Sequence, residues 1–245
     1  MNALKSAVGT IFSAPAIIIL SAYNIQAKDT LTDADGNVYT AVTIGNQVWT
    51  VENLRTTKYN DGAPIPLVTD RSEWVACGDS SRPACCWYEN DNSNKEKYGV
   101  LYNWYAVNSG KLAPKGWHVP SDSEWTELEK YLIKNGYNWD KTKEGQKIAK
   151  SMAAKTDWAS NDDSGTIGND LSKNNRSGFS ALPGGFRLDR GYFYDIGCHG
   201  YWWTTTEYNA SFVWRRALYN DKINLIRNHG TLQKGSGFSV RLMRD

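Results

Sequence analysis

Apolar and polar residues alternate along the chain near both of its ends and take up a helical spacing only in the middle. Val38, Thr40, Val42 and Ile44 interleave with Tyr39, Ala41 and Thr43, which predicts a half-buried strand over residues 38–44. Gly45-Asn46 then turns the chain into a second strand over residues 47–51. Ahead of both, Thr32-Asp33-Ala34-Asp35-Gly36-Asn37 predicts a tight turn, in which Asp35-Gly36 takes the positive backbone angles of a hairpin. Asp33 and Asp35 resemble calcium ligands, but the downstream glutamate that completes such a loop is missing, so the turn is the expected role.

The middle of the chain carries the clearest helix signal. Ser121-Asp122-Ser123-Glu124 fits a capping box, in which the serine hydroxyl and the glutamate carboxylate each satisfy an open backbone N–H. Trp125, Leu128 and Leu132 follow at helical spacing and Asn135-Gly136 ends the pattern, which predicts a helix over residues 121–134. A second, weaker helix is predicted over residues 145–154, with Ile148 and Met152 inward. Residues 59–94 read as irregular, residues 98–107 fit either a buried strand or a short helix, and the polar stretch 157–177 reads as a surface excursion. Residues 179–182, 191–194, 201–206, 211–218 and 238–242 read as strands. Strands at both ends with helices between predict an α+β domain.

The first 27 residues differ in kind, because Lys5 is their only charged side chain and it precedes the apolar run Ala14-Pro15-Ala16-Ile17-Ile18-Ile19-Leu20. That run is shorter than the roughly 20 residues of a membrane-spanning helix and is followed by Ala27, a small residue suited to cleavage. The expectation is an export signal over residues 1–27 and one domain over 28–245, secreted or held at the cell surface, with the periplasm as the other compartment. An uncleaved anchor is the alternative. With no cysteine in the segment, lipoprotein-type acylation is not expected, and no stable membrane span is expected after cleavage.

Charge and composition narrow the field further. Lys plus Arg (28) nearly balance Asp plus Glu (26) and no basic tract stands out, so a nucleic-acid role has no electrostatic support. Eleven tryptophans and fourteen tyrosines serve either a core or a stacking surface, and composition does not choose between them. Export makes disulfides possible, and Cys77 with Cys85 is the expected local pair. Cys86 and Cys198 then either meet across the fold or remain thiols. Zinc is the poorer account, because the cysteine spacing matches no metal knuckle and His118, His199 and His229 are scattered.

Several phrases, in order, resemble one family. They are Ile44-Gly45-Asn46-Gln47-Val48-Trp49 with Glu52-Asn53-Leu54, Tyr98-Gly99-Val100-Leu101-Tyr102-Asn103-Trp104 and Ala113-Pro114-Lys115-Gly116-Trp117-His118-Val119-Pro120-Ser121. Ser177-Gly178-Phe179-Ser180-Ala181-Leu182-Pro183-Gly184-Gly185-Phe186-Arg187, Gly200-Tyr201-Trp202-Trp203-Thr204-Thr205-Thr206-Glu207 and Gly237-Phe238-Ser239-Val240-Arg241 complete the set. Together they resemble the Fibrobacter succinogenes major paralogous domain family. The resemblance implies a bacterial, exported or surface-associated domain without an established reaction, similar in layout to the C-type lectin fold, with small antiparallel sheets, two helices and long irregular loops.

The candidate chemistry favours binding over catalysis. The Glu-Pro-Asn or Gln-Pro-Asp and Trp-Asn-Asp triplets of calcium-dependent lectins are missing, and Asn138-Trp139-Asp140 is only a reordered echo of the last. Gly116 to Trp125 also resembles the helix start of formylglycine-generating oxidases, whose copper needs a cysteine pair late in the chain. Only Cys198 lies there, so neither a metal nor another cofactor is expected. The carboxylates Glu52, Glu89, Asp91, Glu124, Asp189 and Glu207 fit surface solvation, and no Gly-x-Ser-x-Gly elbow is present. Aromatic, arginine and amide side chains instead accumulate late in the chain: Trp202, Trp203, Tyr208, Asn209, Trp214, Arg215, Tyr219, Asp221, Asn224 and Arg227. They are the expected ligand surface, although Trp202 and Trp203 must face opposite ways, which places at least one of them in the core. The expectation is a non-catalytic adhesion-type module that recognises extracellular polysaccharide or a surface protein. An oxidase relative and a structural surface or fimbrial protein are the alternatives.

Overall fold

The computed structural model of the chain describes residues 30–230 and 232–245. The predicted export signal lies outside the described residues. Three short strands open the fold, β1 (Thr30–Thr32), β2 (Val38–Ile44) and β3 (Gln47–Thr50). The predicted turn is built by Asp33, whose carboxylate accepts from the backbone of Asp35 and Asn37 at 2.9 and 3.0 Å and from the Tyr39 hydroxyl at 2.5 Å. Further on come α1 (Arg71–Asp79), β4 (Cys85–Cys86), α2 (Asn92–Tyr98), β5 (Leu101–Tyr102), α3 (Trp104–Val107), β6 (Trp117–His118), α4 (Asp122–Lys134) and α5 (Ala149–Met152). The closing part holds β7 (Gly184–Arg187), β8 (Phe193–Ile196), β9 (His199–Glu207), β10 (Val213–Tyr219), β11 (Ile226–Asn228) and β12 (Met243–Arg244).

Two five-stranded sheets result, ordered β1-β2-β3-β12-β6 and β11-β10-β9-β7-β8, beside the small pair β4-β5. The first brings the closing strand back to the opening ones, with Met243 opposite both Trp49 and His118. Between the sheets lies a tryptophan-rich core, in which the Trp49 and Trp125 ring centroids are 4.8 Å apart and Phe179 and Trp202 pack against Trp125 at 5.6 and 6.4 Å. This is an α+β arrangement, as the alternation and the capped helix predict. The capping box at α4 is complete: Ser121 Oγ accepts from Glu124 N at 3.3 Å and Glu124 Oε2 accepts from Ser121 N at 2.7 Å.

Several expectations are corrected. The irregular stretch 59–94 contains α1 and the start of α2, each begun by an aspartate cap whose spacing hides among other polar residues: Asp70 accepts from Glu73 N and Asp91 from Ser93 N. The run 98–107 is neither one strand nor one helix. Gly99, at φ +88, ends α2 where a Cβ would meet Asn53 Cβ at 2.8 Å, and Asn103 caps α3 by accepting from Ala106 N at 3.1 Å. The helix expected over 145–154 shrinks to the single turn α5. Residues 179–182 and most of 238–242 join neighbours only by isolated bridges, such as Ala153 with Ala181 and Trp202 with Ser239.

The expected Cys77–Cys85 disulfide is also corrected, since all four cysteines are free thiols. Strand alternation gives the reason. Cys85 and Cys86 face opposite sides of β4, so Cys85 enters the main core while Cys86 shares a small cluster with Cys77. Burial pushes the Cys86 thiol up to about 12 and raises Cys85 as well, which keeps both protonated.

Trp125 has no solvent exposure and touches three other buried rings, so Trp125→Ala should lower unfolding free energy by roughly 3–5 kcal/mol in urea denaturation. Ser121→Ala, which removes only the cap, should cost about 1 kcal/mol in the same measurement.

Candidate ligand-binding surface

The closing sheet decides which of the expected ligand residues reach solvent. Trp202 and Trp203 do not; both are fully buried, on opposite faces of β9. Each face has its own core beneath it. Trp202 Nε1 donates to Asn53 Oδ1 at 2.9 Å, and Trp203 Nε1 donates to the Tyr102 carbonyl at 2.7 Å while its ring packs on Phe238 at 4.2 Å. Arg215 is 3% exposed and is likewise removed from the surface, beside Phe238 at 5.9 Å. Asn209 is exposed but serves its own turn, accepting from Ser211 N and Phe212 N at 2.9 Å. Asp221 pairs with Lys222 at 2.9 Å, and Asn224 is half-buried in the loop between β10 and β11.

Tyr208, Trp214 and Arg227 do come together, at the outer edge of β10 and β11. Arg227 lies over the Trp214 ring at 3.6 Å, and Tyr208 meets Trp214 edge-on at 5.5 Å. His229, one of the three scattered histidines and not among the expected ligand residues, completes the group: its ring stacks on Tyr208 at 3.6 Å and stands 4.4 Å from Trp214. Its position two residues after Arg227, along the β11 edge, was the available signal. Tyr208 is 49% exposed, so the group presents a ring face and a phenol hydroxyl to solvent.

One carboxylate anchors this surface to the interior. Asp122, the first residue of α4, accepts from Arg216 Nη1 at 2.5 Å and from Arg227 Nε and Nη2 at 3.0 and 2.8 Å. Arg216 also donates from Nη2 to the Asp122 carbonyl and to Thr126 Oγ1. Burial alone would raise the Asp122 carboxyl, but the hydrogen bonds from Arg227 and Arg216 outweigh it and hold the carboxyl below its usual value. Alternation along β10 puts Trp214 and Arg216 on one face, and the register pairs Arg216 with Arg227. An open groove of about 650 Å³ runs beside the group, lined by Ser123, Glu127, Lys130 and Arg227 among others.

Tyr219 belongs to a different cluster, on the opposite face. It stacks on His199 at 3.9 Å, and His199 Nδ1 lies 2.8 Å from Asp195 Oδ2. The remaining neighbours are phenols: Tyr201 OH is 3.3 Å from both His199 Nδ1 and Tyr219 OH, and burial raises Tyr201 well above the usual tyrosine range. The histidine–aspartate pair is thereby packed between two tyrosine rings that fix the imidazole in place. His118 is similarly engaged, its Nδ1 2.7 Å from Asp245 and its Nε2 2.9 Å from Glu124. Among the described residues no group of three or more His, Cys, Asp or Glu side chains is placed to hold a metal ion.

Residues 42–244 match the family model described as the Fibrobacter succinogenes major domain. No curated protein and no solved structure matches the chain.

Asp122→Asn leaves two guanidiniums, one of them fully buried, without a counter-charge, and should cost about 3 kcal/mol at pH 7 in urea unfolding. Because the folded Asp122 carboxyl sits below its usual value of 3.8, its contribution is fully present above that value and disappears as pH falls through the lower, folded one. The stability gap between the native chain and Asp122→Asn should therefore narrow in acid.

Proposed function

We propose a binding role for this chain, which belongs to the Fibrobacter succinogenes major domain family. In this reading it is an exported, non-catalytic module that recognises extracellular polysaccharide, or a surface protein, through Tyr208, Trp214, Arg227 and His229. The observation that carries the reading is the exposed stack itself. Tyr208 rests on His229 and Trp214 is braced by Arg227, so solvent-facing rings are held in fixed orientation before any ligand arrives. Sugar rings have apolar C–H faces that lie on such planes, and the flanking groove supplies carboxylate, hydroxyl and ammonium partners for the hydroxyl rim. Pre-ordering of the rings reduces the entropy lost on binding.

A C-type lectin-like layout is the finer reading of the fold. It is supported by the return of β12 beside β3, by the position of α4 against the sheets, and by the long loops that separate the short strands. Export is supported by the residue pattern of the first 27 positions.

Binding of the full chain to immobilised polysaccharides tests the proposal. Tyr208→Ala and Trp214→Ala should each weaken retention at least about tenfold, equivalent to ~1.4 kcal/mol, with unchanged melting temperature for Tyr208→Ala. Retention that survives both substitutions contradicts the assignment of this surface.

A further inference from the structure

At the other end of α4 the chain builds a second recess. The 13 residues of that helix extend about 20 Å, so the recess and Asp122 stand at its opposite ends. It encloses about 270 Å³ and is walled by Tyr137, Trp139, Lys150, Ser151, Asn169 and Arg176. Trp139, the middle residue of the reordered triplet Asn138-Trp139-Asp140, is 42% exposed here. Its indole lies across Gly165, at φ +83, where a Cβ would stand only 2.3 Å from the ring. The loop that carries it is fixed by buried Asn138, which donates to the carbonyls of Glu144 and Gly145 at 3.2 and 3.1 Å and accepts from Lys147 N at 2.9 Å.

Two cations on the wall have no carboxylate within ion-pair distance. Lys150, on α5, is 6% exposed, and its ammonium donates to the carbonyls of Thr166 and Asn169. An ammonium has three donors, so one remains. The nearby carboxylate of Asp170 is held by Lys173 at 2.9 Å. Arg176 lies over Tyr137 at 4.9 Å and donates from Nη2 to the Gly136 carbonyl. Among the described residues neither Lys150 nor Arg176 forms an ion pair with a carboxylate. Burial of an ammonium is unfavourable, and burial shifts Lys150 toward losing its proton despite the charge of Asp170 nearby. An anion seated in the recess would relieve that cost.

We propose that this recess binds a carboxylate-bearing sugar ring of the uronic-acid type, with the carboxylate between Lys150 and Arg176 and one ring face on Trp139. The volume is just under the range of drug-sized pockets, roughly 300 Å³ and upward, and suits a single ring. The serine and asparagine side chains on the wall provide hydroxyl partners. The site uses none of the residues of the Tyr208 surface and stands independently of it.

Titration calorimetry of the full chain with sodium glucuronate, methyl glucoside and sodium acetate tests this. Glucuronate should bind, and the neutral ring and the ringless carboxylate should each bind at least about tenfold more weakly. Trp139→Ala and Arg176→Gln, both changes at accessible side chains, should each lower glucuronate affinity about fivefold or more with an unchanged circular dichroism spectrum. Added salt should weaken glucuronate binding, and Tyr208→Ala should leave it alone. No glucuronate binding, or methyl glucoside or acetate binding as well as glucuronate, overturns the proposal. So does glucuronate binding that survives Trp139→Ala and Arg176→Gln but is lost in Tyr208→Ala, an outcome that would leave the Tyr208 surface as a sugar site and remove this one.

Discussion

A single carboxylate shared by two guanidiniums ties the outer sheet to the helix that supports it. Arg216 is fully buried on β10, and its charge is tolerated because Asp122 meets it at the start of α4. That location also suits the carboxylate, since the open N–H groups of a helix N-terminus favour negative charge. The same Asp122 then holds Arg227 from the neighbouring strand, and Arg227 lies over the Trp214 ring. Packing of the core and orientation of the exposed rings therefore rest on one ion cluster, so a change made in the interior is felt at the surface.

The allocation of the aromatic side chains follows from having a core on each face of the closing sheet. Trp202 joins Trp125, Asn53 and Arg241 on one side, and Trp203 joins Phe238 and Tyr102 on the other. Arg241 illustrates the cost of such an interior. Its guanidinium is fully enclosed, burial lowers it to about 9, and it is held by Asn53 Oδ1 and by the carbonyls of Thr50, Phe179 and Ser180. The Phe179 and Ser180 carbonyls belong to a segment with little regular pairing of its own, and there the buried arginine supplies hydrogen bonds that a strand ladder would otherwise provide. Among the rings left to solvent are Tyr208, with half-buried Trp214 beside it, at one edge and Trp139 past α4; Tyr131, Tyr192 and Tyr194 are exposed elsewhere.

Local rules made part of this legible. The β2–β3 hairpin, the Asp33 turn and the capped α4 depend on neighbours in sequence, and each forms where the residue pattern predicts it. Features that depend on distant partners were not legible. Alternation separates Trp202 from Trp203 but does not reveal that both faces are covered. Proximity in sequence suggested a bond between Cys77 and Cys85, while the pleat of β4 sends Cys85 the other way. Arg215 reads like a binding residue in composition and is buried by the fold. A lone lysine such as Lys150 carries no signal until its surroundings are known, and His229 is marked only by its place two residues after Arg227.

The most direct measurement of the central claim follows the tryptophan indole N–H resonances of the isotope-labelled chain while a soluble polysaccharide that it retains is added. With Tyr208, Trp214, His229 and Arg227 as the polysaccharide surface, the Trp214 signal moves in a saturable way while those of Trp202 and Trp203 stay fixed. Saturable binding that leaves Trp214 unmoved would contradict it.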